Sequence, residues 1–350
     1  MAEFVTPPPL QPGDAVAVVS PASGLAEQYP HVYERGLERL RSVFDLEAVE
    51  FPTARKSDAY LRNHPRERAR DVEDAFADPD IRGVIATIGG NDQIRTLRHL
   101  DTDVLAENPT RFYGISDNTN LAVALWNARI VSFYGGHLLT EFAAPGPLPE
   151  YLERWLRTAL FEETIGEIEP APLFSDQDLD WADPANLEQR PEVEPNPGWI
   201  WRGSDRAVSG RTWGGCLEVL DLQFAADRYV PSVSALDGSI LLLETSEELP
   251  SPAYVRRALL GMGERGLLSA VDGVLVGRIK ARSHVTERGD EARTQYRNRV
   301  RDAMADVVSE YNDAIPIVFN ADFGHTNPIV PVPIGGLATI DPGEERLVFE

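Results

Sequence analysis

One cysteine, Cys216, is all the thiol this 350-residue chain has. No internal disulfide can form, which fits a reducing compartment and makes the cytoplasm the expected location. Lysine is nearly as scarce: Lys56 and Lys280 stand alone, and arginine supplies the rest of the 33 cationic side chains. No apolar run reaches the ~18 residues a membrane span needs. The opening MAEFVTPPPLQPGD has neither a basic n-region nor an apolar h-region, so a signal peptide is not expected. HExxH, CxxC, GxGxxG and GxxxxGK(S/T) are also missing, and no two of the six histidines are spaced to share a helix face. Neither a metal nor a cofactor is therefore expected.

What the chain has instead is acid. Its 56 carboxylates against 33 cations give a net charge of −23. Such a surface repels phosphate backbones, so nucleic acid is not an expected partner. Acidic, lysine-poor surfaces suit proteins that stay soluble in high salt, but GC-rich coding sequence favours arginine over lysine too; composition leaves both origins open. The apolar fraction of 43% and charged fraction of 25% are those of a globular protein. The length exceeds one ordinary core, so two domains are expected.

Residues 1–164 alternate strand and helix signals. DAVAVVSPASG, LEAVEF, GVIATIGG, RFYGIS and ARIVSFYGG read as strands. Between them, HVYERGLERLRSVF puts Tyr33, Leu37, Leu40 and Phe44 on one helical face, and RERARDVEDAFADPD does the same with Ala69, Val72 and Phe76. Helix also fits DQIRTLRHL and the stretch from Asn118. The pattern predicts a parallel sheet covered on both faces, with functional loops beyond the carboxyl ends of its strands. Three such ends stand out: SPASG, IGGND and GISDN. Residues 165–204 are rich in proline and acid without sustained period, and read as a linker or a substrate loop. Their three tryptophans (Trp181, Trp199, Trp201) argue against a plain spacer. Residues 205–350 read as a second domain of strands and helices, with a helix start at Ser251–Pro252 and a long amphipathic helix from EARTQYRN onward.

Ser116 stands where a strand turns into a helix. That is the place for a nucleophile, and equally for a helix cap. GISDN is not GxSxG, so the match to a hydrolase elbow is partial. As a nucleophile, Ser116 would have the Asp117 amide at a helix N-terminus as an oxyanion donor, with a second from Gly89 or Gly90. A base has to be histidine. His31, His64, His99 and His284 lie in charged segments that read as solvated, leaving His137 in FYGGHLL and His325 in ADFGHTNP. For the acid that orients the base, Glu244 closes the apolar strand SILLLE, where an ionised carboxylate needs a partner; Glu218 in GGCLEVL is a weaker rival.

GDAVAVVSPAS, IGGND, GISD, TWGGCLEVL, ILLLETSEE and FGHT, in this order and spacing, resemble the LD-carboxypeptidase family of serine peptidases. The family includes muramoyltetrapeptide carboxypeptidases and the microcin C self-immunity (MccF-like) proteins. The resemblance implies a Ser–Glu–His triad between an N-terminal Rossmann-like domain and a smaller C-terminal β-rich α/β domain, matched here by Ser116, Glu244 and His325, with Gly89, Gly90 and the Asp117 amide as the oxyanion site. It also implies a homodimer. The long tryptophan-bearing segment is closest to the microcin-immunity branch, in which an aromatic residue stacks on the base of a peptidyl-nucleotide; Trp181 is the candidate. A murein tetrapeptide is the alternative substrate. A non-catalytic small-molecule or peptide binder on the same fold is the alternative of another class.

Overall fold

The computed structural model describes residues 3–283 and 286–350. His284, read above as solvated, lies outside the described residues. The chain divides into two compact units: Met1–Thr164, Leu179–Arg190 and Val330–Gly335 make the first, and Ile165–Asp178, Pro191–Ile329 and Gly336–Glu350 the second.

The first unit is built on β1 (Ala15–Val19), β2 (Glu47–Glu50), β3 (Ile81–Ala86), β4 (Arg111–Tyr113) and β5 (Ser132–Tyr134), ordered 2-1-3-4-5 and all parallel. β1 and β3 bury almost every residue without polar alternation, as strands covered on both faces must. The covering helices present the faces that periodicity predicts: Tyr33, Leu37 and Leu40 are buried, as are Ala69, Val72 and Phe76, while Phe44 is buried just past the end of its helix Pro30–Ser42. The strand Val332–Ile334 returns from near the end of the sequence to pair antiparallel with β5. In this strand order the chain reverses direction of winding between β1 and β3, and ligand crevices open at the carboxyl side of such a point.

The second unit carries an eight-stranded mixed sheet. Val208–Cys216, Ile240–Glu244, Gly273–Gly277 and Pro316–Ala321 are its parallel centre, and antiparallel strands flank it on both sides. The expected helix start is present: Ser251 Oγ accepts from the Tyr254 amide, with Pro252 opening Pro252–Glu264. The long helix spans Asp290–Tyr311. DQIRTLRHL forms less helix than its pattern suggested, a single turn at Ile94–Leu97.

The aperiodic segment is held by ions rather than by an apolar face. Asp176, fully buried, accepts from Arg282 Nε at 2.8 Å, Arg297 Nη2 at 2.6 Å and the Ala281 amide at 3.1 Å. Burial works against its charge, but the two guanidiniums win and hold its pKa below the usual carboxylate range. Lys280 Nζ, 3% exposed, reaches Asp178 at 2.8 Å. Trp199 Nε1 donates to Asp322, and its ring lies near that of Trp201. Among the described residues no helix is long and apolar enough to cross a membrane.

Arg111 is buried in the first unit and donates to the carbonyls of Pro7, Ala159, Leu160 and Glu162. Arg111→Ala leaves these acceptors short of donors and is expected to lower unfolding free energy by about 3 kcal/mol or more. Denaturant titration checks this, and a loss under about 1 kcal/mol would overturn it.

Candidate active site

β4 ends at Tyr113, and three residues later the backbone of Ser116 takes φ 61°, left-handed for a residue with a side chain. Such a conformation costs on the order of 1–3 kcal/mol and persists only where its surroundings hold it. They do so here. The Ser116 amide donates to Tyr134 Oη at 3.1 Å, and the Ile115 amide donates to His137 Nε2 at 2.9 Å. Because that nitrogen accepts, His137 is neutral with its proton on Nδ1; it is spent on fixing the turn. Asn118 adds a bond to the Ile88 carbonyl. Neither the 3₁₀ turn Ser116–Asn118 nor the helix Thr119–Asn127 has a side-chain cap bond. Capping therefore does not explain the serine.

The glycine turn after β3 lies against this hydroxyl. A Cβ on Gly89 would sit 2.7 Å from Ser116 Cβ and 2.8 Å from its Oγ, closer than atoms can pack, and 3.5 Å from the Asp117 amide nitrogen. A Cβ on Gly90 would meet the Ser23 amide nitrogen at 3.0 Å. Ser23, after β1, donates to the Gly89 carbonyl through both its amide, at 3.1 Å, and its hydroxyl, at 2.6 Å. The three strand ends singled out in the sequence thus meet at Ser116, with Gly89, Gly90 and the Asp117 amide around it.

In the second unit, Glu244 ends the strand Ile240–Glu244 and is 1% exposed. His325 Nδ1 lies 2.7 Å from its Oε2. The approach requires Gly324, which has φ 94° and whose Cβ would fall 2.8 Å from that same oxygen. Glu247, which sequence reasoning did not single out, stands on the other side of the ring: its Oε2 is 3.1 Å from Nε2, and about half of its side chain meets solvent (54%). Its only signal was the acid run ETSEE after an apolar strand. Burial favours a neutral His325, but Glu244 first and Glu247 second outweigh it and hold its pKa well above the ordinary histidine value. In turn, desolvation resists the charge on Glu247, yet His325 draws that carboxyl down to about 2. Glu218 is occupied elsewhere. It accepts from the Ser246 amide and hydroxyl and from the Cys216 thiol, ordering the loop that carries Glu247.

Trp181 belongs to the first unit. Its ring meets Tyr29 edge-on at 5.6 Å, and its carbonyl lies 2.9 Å from His31 Nε2. His31, which the sequence placed in a solvated segment, is half-buried and engaged there.

Two family models match the chain: the LD-carboxypeptidase N-terminal domain over residues 16–135 and the LD-carboxypeptidase C-terminal domain over residues 209–340. A Vibrio cholerae protein named as a carboxypeptidase is 28% identical over 331 residues, covering 94% of this chain and 92% of its own. The microcin C7 self-immunity protein MccF of Escherichia coli is 26% identical over 344 residues, covering 95% and 92%. Among solved structures, an MccF-like protein from Streptococcus pneumoniae in complex with AMP matches with a TM-score of 0.86 and 28% identity, over 96% of this chain and 98% of that one.

A histidine whose folded-state pKa is raised stabilises the fold below its unfolded value, and that contribution is lost as pH rises through the folded value. Unfolding free energy is therefore expected to fall from about pH 7 toward alkaline pH, and Glu244→Gln should flatten that slope. Urea titrations across the range check it; equal slopes in both proteins would remove the Glu244–His325 pair as the cause.

Proposed function

The chain belongs to the LD-carboxypeptidase family and is a hydrolytic peptidase; on that premise we propose that it opens an amide with Ser116 as nucleophile, His325 as base and Glu244 as the acid that orients the base. The observation that carries this reading is the left-handed Ser116, which caps nothing and has the glycine turn pressed against its hydroxyl. Strain of this kind persists where a side chain must be presented in one direction.

The steps follow from the atoms. Ser116 Oγ attacks the carbonyl carbon while its proton passes to His325 Nε2. The resulting oxyanion takes hydrogen bonds from the Asp117 amide and an amide of the glycine turn. The C–N bond then breaks, the leaving amine takes the proton from Nε2, and water releases the acyl group from Ser116 by the same route in reverse. Glu244 keeps the base in the tautomer with its proton on Nδ1 and balances the imidazolium. For Nε2 to accept a proton, Glu247 must first give up its hold on that nitrogen.

For the substrate, the reading is an amino acid or short peptide joined through an amide to a nucleotide-like group. It is supported by the AMP bound to the Streptococcus pneumoniae relative. Trp181, fixed by Tyr29 and His31, is the aromatic surface assigned to the base. The reading extends to a homodimer in the cytoplasm, as the resemblance implies.

Ser116→Ala is expected to reduce turnover by about three orders of magnitude or more. The check is incubation with aspartyl sulfamoyl adenosine and with an LD-linked tetrapeptide, followed by mass spectrometry. Cleavage that survives the substitution would end the nucleophile assignment, and cleavage of the tetrapeptide alone would end the nucleotide one. Trp181→Ala should weaken AMP binding about tenfold, the worth of one lost base stack; unchanged calorimetric affinity would release Trp181 from that role.

A further inference from the structure

We propose that the Asp117 carboxylate is a positioning residue that fastens the glycine turn at 89–90 to the Ser116 turn and so sets the oxyanion geometry. The proposal rests on the reading of Ser116 as nucleophile.

The residue is 1% exposed, and the main-chain partners of its carboxylate lie in a different loop from its own. Oδ2 accepts from the Asp92 amide at 2.9 Å and the Gln93 amide at 2.8 Å, two and three residues after Gly90. Oδ1 accepts from Asn120 Nδ2 at 2.8 Å. An aspartate that capped its own helix would accept from amides two or three residues downstream. This one instead accepts from the two amides just before the turn Ile94–Leu97, which follows a neighbouring strand. A Cβ on Gly90 would fall 3.2 Å from Oδ2, so the turn lies against the carboxylate with little room for a side chain.

Gln93 doubles the tie. Its Nε2 donates to Asn118 Oδ1 at 2.7 Å, and its Oε1 accepts from the Leu121 amide at 3.1 Å. From the other side, the buried Arg68 donates to Asp92 Oδ1 at 2.8 Å and to the Ala22 carbonyl at 2.7 Å, joining the loop after β1. The oxyanion donors therefore sit on two separate loops, and their spacing is set by the bonds that Asp117 and Gln93 make between them. Amide donors stabilise a developing charge only when they are already aimed, so a turn free to drift would lose rate rather than affinity. Burial pushes the Asp117 carboxyl up to about 6, against the pull of the Gln93 and Asp92 amides. At neutral pH both oxygens act as acceptors.

The test compares wild type with Asp117→Ala and Asp117→Asn. A carboxamide oxygen still accepts from both amides, whereas alanine offers nothing. In the alanine variant, hydrogen exchange at the amides of Asp92 and Gln93 should quicken about tenfold. Labelling of Ser116 by a fluorophosphonate should slow about a hundredfold, with kcat reduced in parallel and KM within about threefold. The asparagine variant should stay within about threefold of wild type on each measure. Unchanged exchange and labelling in Asp117→Ala, or equal impairment of the two variants, would overturn the proposal. Should Asp117→Ala fail to fold, Asp117→Asn decides alone: retention supports the proposal and loss ends it. If Ser116 of the wild type takes no label, the nucleophile reading fails, and the exchange measurement still tests the fastening.

Discussion

A carboxylate buried at the end of an all-apolar strand has to be paired, and Glu244 is paired by the Nδ1 of His325. Much of the second unit's local design follows from that one bond. The chain must pass Glu244 at van der Waals distance to bring the imidazole in, which demands Gly324 at positive φ. The loop after the strand must then be ordered, and Glu218 does so from the first turn of the helix Leu217–Ala226 by holding Ser246. With Glu247 beyond the ring, the imidazole stands between two carboxylates, and its charge state answers to both.

The first unit solves a different problem with neutral groups. Its serine is kept in an unfavourable backbone conformation by Tyr134 and by the network around His137. Each unit thus holds a strained or costly feature by hydrogen bonds that run between segments distant in sequence. Arginine is prominent in this role. Arg39, Arg68 and Arg111 are buried and donate to main-chain carbonyls, two or more at once in Arg39 and Arg111. A planar fork of five donors can do this where an ammonium on a flexible stem cannot. The near absence of lysine therefore has structural use, whatever its origin in composition.

What the sequence disclosed, and what it hid, divides along the same line. Strand-to-loop punctuation made SPASG, IGGND and GISDN visible, because a parallel sheet announces its carboxyl ends through apolar runs that stop at glycine or serine. Glu244 was visible as an acid out of place in SILLLE. Glu247, Tyr134 and Arg68 were not, since each acquires its role from a partner 18 or more residues away, and no local period records such a pairing. Residues 165–204 gave no period for a related reason. Asp176 and Asp178 anchor that segment to Arg282, Arg297 and Lys280, and ion pairs leave no repeat in the chain. His137 and His325 looked alike, both after a strand and a glycine; only the direction of their hydrogen bonds separates them.

The strand Val332–Ile334 supplies the last member of the first unit's sheet, although the parallel centre of the second unit precedes it in the chain. Until the ribosome has released it, β5 presents an open edge to whatever other strands are nearby. The unit built first is thus the one that must wait to be completed, and a truncated product ending before residue 330 would expose a ready-made site for aggregation.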